Sequence, residues 1–343
     1  MAQNTVAAGR AWLYSHNIGR NGAAGMGFSQ PVSIAAANDG VLYVTNRATE
    51  QNPGGIRVTK FTVEQEYLGE FGRQGLAYGS DEPTTFTWIS GVALDKVGNV
   101  YVADEWQCRV AVFDADGNPL TGWGVKGEGE GELSGPAGMA FDADDNVWVV
   151  NSFNSRIQKF TKDGQFISGF GSKGEAEGQF EMPDGIEIDG NGDLYIADWG
   201  NNRVQKFTPG GTHLRTFAHQ VNGRDALNHP TDVCVDGDGD VYITDWMNDR
   251  VVIYDPDAKP IAYLEGDAVE VSKWGQMGLD ANPDMVKARR RVPDLIEQQR
   301  RFVKPAACTY DRDNNLLFVV DTARNRVQVY EKDHEYMDPQ INL

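Results

Sequence analysis

The segment Asp198-Trp-Gly-Asn-Asn-Arg203-Val-Gln-Lys-Phe207 recurs along this chain, and its recurrence decides the fold. In each copy an aspartate or asparagine precedes a turn, and an arginine then opens a stretch of alternating apolar and polar residues. The other five copies place this arginine at Arg57, Arg109, Arg156, Arg250 and Arg326. Self-similarity at a nearly fixed period is the signature of an array of equivalent structural units.

One complete unit, from Phe180 to Phe217, predicts four short strands. The strands are expected at 186–188, 194–197, 203–207 and 213–217, with turns rich in Gly, Asn, Asp and Pro between them. Four antiparallel strands per unit form one blade of a β-propeller. Six units therefore predict an all-β, six-bladed propeller that occupies the whole chain as one domain.

The last copy lacks a fourth strand, and the beginning of the chain supplies a candidate. Residues 11–20 align with the fourth strands of other units, so they should complete blade six and close the ring, which removes exposed sheet edges. In this alignment His16 takes the place of Phe71, Trp123 and Phe170. The expected blades are 28–73, 86–124, 133–171, 180–218, 227–265 and 302–330, with a helical insertion at 266–301.

The repeat resembles the NHL repeat. The pattern that carries the resemblance is Pro183-x-Gly185-Ile followed by Asp189-x-x-Gly192 and Leu194-Tyr-Ile-Ala-Asp198-Trp-Gly-Asn-Asn-Arg203-Val-Gln-Lys-Phe207. The resemblance implies a propeller, but propellers of this kind include amidating lyases, sensor domains, and RNA- or protein-binding modules. Related six-bladed folds include lactonases and streptogramin lyase. Fold alone does not choose among these functions.

Composition narrows the classes of partner. The formal net charge is −19, which argues against a nucleic-acid partner and against docking on an anionic membrane. Three cysteines without short spacing make neither a disulfide framework nor a zinc site, and Cys234 and Cys308 fall on predicted inner strands as buried thiols. No apolar run reaches spanning length. The N-terminus shows no export signal, so a cytoplasmic location is expected unless a signal was removed.

The candidate site lies on the face where the loop before the first strand and the loop after the second strand of each blade meet. Aromatic rings with a few convergent polar groups are typical of a ligand pocket. Asp184, Asp232 and His229 are the candidate acid/base groups. The candidate ligand-binding residues on this face are Trp88, Trp106, Phe153, Trp199, Trp246, Arg47, Glu105 and Lys304.

A divalent cation is one possible occupant of this face. Asn151, Asp184 and Asp232 offer the oxygen ligands that Ca²⁺ or Mg²⁺ prefers. The amidating lyases that the repeat resembles hold zinc through several histidines, and only His229 of the five in this chain suits that place, so a zinc site is not carried over. No nucleotide cofactor is expected.

Two motifs that resemble sites are interpreted as structural. The Asp–Arg pair recurs in almost every blade and is expected to be an architectural ion pair. The sequence Asp236-Gly-Asp-Gly-Asp240 resembles a calcium loop but lacks the bidentate glutamate at its twelfth position, so a hairpin turn is the better interpretation.

The insertion before blade six is basic, with seven basic and three acidic residues between Asn282 and Lys304. Prolines 283 and 293, each followed by aspartate, predict two short helices or one kinked helix. We interpret the insertion as a lid whose Arg289, Arg290 and Arg291 could bind an anionic ligand, the alternative being a cationic flap held by surface ion pairs.

Two functions follow as hypotheses. In the first, a lidded propeller binds a small, anionic organic ligand at the channel mouth and carries out lyase or hydrolase chemistry. In the second, the chain is a non-catalytic scaffold that binds a protein partner. The absence of a histidine cluster and of a Gly-x-Ser-x-Gly motif favours the second hypothesis. The expected partners are accordingly a small molecule or a protein.

Overall fold

The computed structural model describes residues 4–48, 53–74, 85–218, 223–292 and 294–336. It confirms the all-β, six-bladed propeller: each blade is an antiparallel sheet whose first strand lies at the central channel. The strands of blades one to three are Pro31–Ala36, Val41–Asn46, Arg57–Thr62, Tyr67–Phe71; Ile89–Leu94, Val100–Asp104, Arg109–Phe113, Pro119–Trp123; and Pro136–Phe141, Val147–Asn151, Arg156–Phe160, Phe166–Phe170.

Blades four and five repeat this pattern, and blade six joins the two ends of the chain. Their strands are Pro183–Ile188, Leu194–Asp198, Arg203–Phe207, His213–Phe217; Pro230–Val235, Val241–Asp245, Arg250–Tyr254, Pro260–Leu264; and Pro305–Asp311, Leu316–Asp321, Arg326–Asp333, Arg10–Ile18. Strand Thr5–Ala7 adds a fifth, outermost strand to blade six. Two short parallel pairs, Arg73–Gln74 with Thr85–Phe86 and Ser172–Lys173 with Gln179–Phe180, join neighbouring blades.

Aromatic side chains fill the seams between blades. The ring at the end of one fourth strand packs on a ring of the next blade's third strand: Phe71 lies 4.9 Å from Phe113 and Phe170 lies 5.0 Å from Phe207, measured between centroids. Such ring pairs stabilise the fold beyond the contribution from burying each ring's apolar surface. The seams are therefore equivalent wherever the repeat supplies both rings.

The seam between blades six and one departs from this rule, and one expectation was wrong here. The register pairs Ile18, not His16, with Val327, so Ile18 occupies the position that Phe170 holds opposite Ile157 in blade three. His16 instead lies near the Val63 carbonyl, 2.9 Å from its Nε2. The bulge between Tyr14 and His16 shifts the register by one residue, and the alignment misplaced the strand by one more.

Trp274 of the insertion supplies the aromatic ring that this seam lacks. Its side chain is buried, and its ring lies 5.6 Å from Phe61 and 5.7 Å from Phe28. The indole Nε1 donates a hydrogen bond of 2.7 Å to the Gln65 carbonyl. The insertion is thus part of the packing between the first and last blades.

Three helices form the insertion: α1 (Lys273–Asp280), α2 (Pro283–Arg289) and α3 (Leu295–Arg300). Helix α2 begins at Pro283 as expected and is capped by Asn282, whose side chain accepts from the Met285 amide. Pro293, where the second helix was expected to begin, lies outside the described residues. Helix α1, capped by Ser272, was not anticipated. No described helix is long and apolar enough to cross a membrane.

The recurring Asp–Arg pairs are architectural, as expected. Arginine Nε lies 2.8 Å from the carboxylate in Asp198–Arg203 and 2.6 Å in Asp245–Arg250, and each aspartate is fully buried. Where blade one has Asn46, Arg57 pairs with Glu70 at 3.0 Å instead. The pair therefore belongs to the fold of each blade.

A lysine from another blade, Lys332, binds the carboxylates of the turn that resembles a calcium loop. Asp236, Asp238 and Asp240 bring three carboxylate oxygens within 4.8 Å of one another. The Lys332 ammonium, itself fully buried, contacts all three, at 2.8 Å from Asp238 and Asp240. The hairpin turn is confirmed by the Gly239 amide, which donates to the Asp236 carbonyl. Lys332 thus ties the last strand of the chain to blade five.

Candidate functional site

A cavity of about 570 Å³ opens at the mouth of the central channel. It is enclosed by the starts of the first strands and by the loops after the second strands, because both sets of residues converge on this face. Its chemically active lining residues are Arg47, Trp88, Asp184, Trp199, Asp232, Trp246 and Lys304. All seven are among the residues that the sequence analysis selected.

Two carboxylates break the repeat at the channel wall. The residue after the strand-opening position is small or apolar in the other blades, for example Ala137 in blade three, but it is Asp184 in blade four. One position further, blades two to four have glycine and blade five has Asp232. The Asp232 side chain packs over Gly185, since a Cβ built there would lie 2.6 Å from Asp232 Cα.

The two carboxylates differ in their partners. The Cys308 amide donates to Asp232 Oδ2 at 3.1 Å. Among the described residues no group donates a hydrogen bond to the Asp184 carboxylate. Burial raises the pKa of Asp184 to about 6, against the attraction of Arg47, and raises the pKa of Asp232 well above its ordinary range. A carboxyl group whose pKa approaches neutrality can both accept and donate a proton.

Arg47 follows the second strand of blade one, which lies opposite the blade of Asp184 in the ring. Its Nε donates to the Ile89 carbonyl at 3.0 Å, and its guanidinium lies 4.9 Å from the Trp88 ring centroid. Glu105 approaches it at 3.5 Å. Burial raises the pKa of Glu105 despite this arginine. Arg47 therefore presents a fixed positive charge over an aromatic wall.

A second cation and aromatic pair lies at blades five and six. Lys304 Nζ is 4.6 Å from the Trp246 ring centroid. Trp199 lines the same cavity, and the His229 ring packs on it at 4.1 Å between centroids. His229 Nδ1 is 2.7 Å from Asn228 Oδ1. Unlike the two acids, His229 does not belong to the lining of the cavity.

Other predicted residues lie outside this lining. Asn151 is buried, accepting from the Ser134 amide at 2.7 Å and donating to the Glu132 carbonyl. Trp106 and Phe153 are exposed at 62% and 53% on the surrounding face. Arg290 and Arg291 are exposed on the insertion, whereas Arg289 lines a different cavity beside blade six.

The sequence analysis missed Glu187, which lies lower in the channel. It takes a position that alanine holds in blades one to three, and a second cavity of about 220 Å³ there is lined by Glu187, Asp232 and Cys308. Burial raises the pKa of Glu187 to about 7, with Arg312 at 3.4 Å opposing the shift. A comparison of the blades column by column would have found it, because it departs from the repeat as Asp184 does.

Few side chains at the channel mouth could provide oxygen ligands for a cation. Asp184 and Asp232 could both contribute, and their acidic character suits a hard divalent ion. Within the part of the chain that the structure describes, however, three metal-ligating side chains gather within 4.8 Å only at Asp236, Asp238 and Asp240, where Lys332 lies.

Comparisons with known proteins agree with the propeller fold. The model of the NHL repeat matches residues 133–160, 180–207 and 227–254. No curated protein matches the chain significantly. Among solved structures, a Bacteroides thetaiotaomicron protein of unknown function is similar, with a TM-score of 0.62, 16% identity, and coverage of 94% of this chain and 76% of that one.

Two similar structures are enzymes. A catalytically inactive variant of virginiamycin B lyase from Staphylococcus aureus, solved with quinupristin, has a TM-score of 0.56 and 12% identity over 94% of this chain and 98% of that one. A gluconolactonase from Xanthomonas campestris has a TM-score of 0.58 and 13% identity over 94% and 89%. At these identities the likeness shows the fold alone.

Proposed function

We propose that this six-bladed β-propeller, whose blades three to five match the NHL repeat, binds a small organic anion at the channel mouth and transforms it by acid/base chemistry of the lyase or hydrolase type. The observation that carries the proposal is the pair Asp184 and Asp232. Each replaces a small residue of the repeat, lines the cavity, and has a raised pKa. The other blades fold with small residues at these positions, and the Asp184 carboxylate accepts no hydrogen bond from the described residues that would give it a structural role.

In the proposed reaction Asp184 is the proton acceptor or donor. It has no hydrogen-bond donor among the described residues, and its pKa of about 6 leaves it largely ionised at neutral pH while close enough to return a proton. Asp232, whose pKa burial raises well above its ordinary range, is the proposed second acid/base group. Two carboxyl groups in different surroundings can divide the roles of base and acid.

Arg47 and Lys304 are proposed to bind the anionic part of the ligand. Each cation lies against a tryptophan, at 4.9 Å from Trp88 and 4.6 Å from Trp246, so each is held within the wall. Guanidinium and ammonium groups in a partly desolvated wall bind carboxylate strongly.

Of the three residues proposed as metal ligands, Asn151, Asp184 and Asp232, we retain only the two aspartates. Both polar atoms of the Asn151 side chain already have backbone partners.

The reactions of the two similar enzymes provide the first substrates to test. Conversion of quinupristin is followed by liquid chromatography, and hydrolysis of gluconolactone by titration of released acid. Turnover by the wild type should fall by about 10²–10⁴-fold in Asp184→Asn, as expected for loss of a general acid or base. The control is Asp144→Asn, an exposed residue of a hairpin turn. Equal turnover in Asp184→Asn and wild type would contradict the assignment.

A second candidate function rests on a different observation. Large apolar side chains are exposed around the channel mouth, among them Trp106 at 62%, Phe153 at 53% and Met247 at 48%. Exposed apolar groups around a pocket are typical of a protein-binding surface. If the chain is a scaffold, Trp106→Ala should abolish capture of a partner and Asp184→Asn should leave it unchanged. If the chain is an enzyme, Asp184→Asn should abolish turnover and Trp106→Ala should leave turnover largely intact.

A further inference from the structure

A second large cavity, of about 650 Å³, lies between the insertion and blade six. Helices α1 and α2 form one side, and the start of the loop after Ile18 forms the other. It adjoins the channel-mouth cavity, and Ala323 lines both. Because the remaining lining residues differ, this cavity is a separate compartment.

Four arginines converge on this cavity. They come from separate parts of the chain: Arg20 follows strand Arg10–Ile18, Arg289 ends helix α2, and Arg324 and Arg326 lie after the second strand of blade six. Glu270 is the one carboxylate of the lining, and it is exposed. In a protein whose net charge is −19, this concentration of positive charge is local and unusual.

Arg326 shows what a structural arginine looks like here. Its Nε binds Asp321 at 2.7 Å, and its Nη2 donates to three backbone carbonyls of the insertion, Gln299, Arg300 and Arg301. That pair is the one found in the other blades, so its charge is already neutralised.

The other three arginines have no such carboxylate. Arg20 donates through Nε to the Met26 carbonyl at 2.8 Å, and Arg289 donates through Nη2 to the side-chain oxygen of Gln299 at 3.1 Å. Arg324 donates to the Gln298 carbonyl, and its Nε is buried without a hydrogen-bond partner. Among the described residues none of the three forms a salt bridge. A buried donor left without a partner costs free energy that a bound acceptor would recover.

The rest of the lining contains both polar and apolar groups, the polar ones including Asn17, Ser272 and Gln299. Leu279 and Met285 contribute side chains, and Gly275 and Gly278 leave one side of helix α1 without Cβ atoms. A Cβ at Gly278 would lie 2.7 Å from Arg20 Nη1, so the glycine makes room for the guanidinium. The cavity therefore combines cationic groups with an apolar wall, as a site for an organic anion does.

We propose that this cavity is a second binding site, which takes a small organic molecule carrying a multivalent oxyanion, a phosphate monoester or a polycarboxylate. Arg20, Arg289 and Arg324 provide the charge-assisted hydrogen bonds, since guanidinium forks match the oxygens of both groups. Met285 and Leu279 contact the organic part. The site is independent of the acid/base pair in the channel.

The test is calorimetric titration of the purified protein with inorganic phosphate and, separately, with citrate, at fixed ionic strength against chloride. The wild type should bind one of the two or both. Arg289→Gln and Arg20→Gln should each weaken binding roughly tenfold or more, as loss of a charged hydrogen bond predicts. Arg290→Gln is the matched control, because Arg290 is the exposed neighbour outside the lining. Asp184→Asn should leave this binding unchanged, which separates the site from the channel.

The outcomes distinguish the ligand classes. Binding of phosphate alone assigns a phosphorylated ligand, binding of citrate alone assigns a polycarboxylate, and binding of both assigns recognition by charge. No binding of either anion by the wild type, or an equal loss in Arg290→Gln, would overturn the proposal. Arg20 is exposed, so Arg20→Gln remains informative even if Arg289→Gln disturbs the packing of α2.

Discussion

Replacing Asp184 by asparagine should stabilise this protein at neutral pH and leave its stability unchanged in acid. The side chain is half-buried, no group of the described chain donates a hydrogen bond to it, and its pKa is raised from the ordinary 3.8 to about 6. Asparagine has nearly the same shape and no charge. The substitution therefore isolates the free-energy cost of ionising the carboxylate in the channel.

The magnitude follows from the pKa. A change from 3.8 to about 6 corresponds to about 3 kcal/mol at full ionisation, since one pKa unit is about 1.4 kcal/mol. Solvent reaches part of the side chain, and loss of the attraction to Arg47 offsets some of the gain. We therefore expect a net stabilisation of about 1–2 kcal/mol above pH 7.

The sign is set by proton binding. Between pH 3.8 and about 6 the unfolded chain has lost the Asp184 proton while the folded protein retains it. The contribution of this group to stability is thus complete below pH 3.8 and is lost as pH rises through 6. Asp184→Asn has no such loss. The difference in unfolding free energy should grow from near zero at pH 4 to its plateau above pH 7.

The assay is urea unfolding followed by tryptophan fluorescence at pH 4, 5, 6, 7 and 8, with wild type, Asp184→Asn and Asp144→Asn side by side. The exposed Asp144 serves as the control and should give a small difference at every pH. A difference for Asp184→Asn that is independent of pH, or a destabilisation at pH 8, would refute the reasoning. It would mean that the carboxylate is matched by partners in the folded state.

Three further predictions concern other parts of the molecule. Lys332→Met should destabilise the protein by about 3–5 kcal/mol by leaving buried carboxylates unpaired, and added Ca²⁺ should raise the melting temperature of this variant but not of the wild type. Trp274→Ala should cost about 3–5 kcal/mol and make the insertion sensitive to trypsin, measured by thermal unfolding and by the rate of cleavage. Gly185→Ala should displace Asp232 and remove ligand turnover, whereas Gly190→Ala, where nothing lies within 4 Å of the new Cβ, should leave turnover intact.

The repeat made the fold predictable and the site only partly so. Six copies of one segment determine the blade count, the ring closure and the face where loops converge, because these follow from period and alternation alone. Asp184 and Asp232 could be selected because they lie at that face. Their raised pKa values, and the separation of Asn151 from them, depend on burial and on backbone partners that the sequence pattern does not encode.

The seam between blades six and one was harder to predict for a related reason. Its ring comes from Trp274, which lies outside the repeat, while the aligned fourth strand supplies Ile18. Likewise, the sequence of residues 236–240 resembles a calcium loop but does not indicate that Lys332, from the third strand of blade six, binds its carboxylates. Contacts between parts of the chain that share no period are the ones that a repeat pattern leaves open.

The distribution of charge around the channel gives the proposed ligand an orientation. Blades four and five contribute the acids Asp184 and Asp232, and blades one and six contribute the cations Arg47 and Lys304. An anionic group would therefore lie toward blades one and six, with the reacting bond toward blades four and five. Arg47→Gln should then raise KM much more than it lowers kcat, while Asp184→Asn should lower kcat, because the first removes binding shared by substrate and transition state. Equal effects of the two variants on kcat would contradict this orientation.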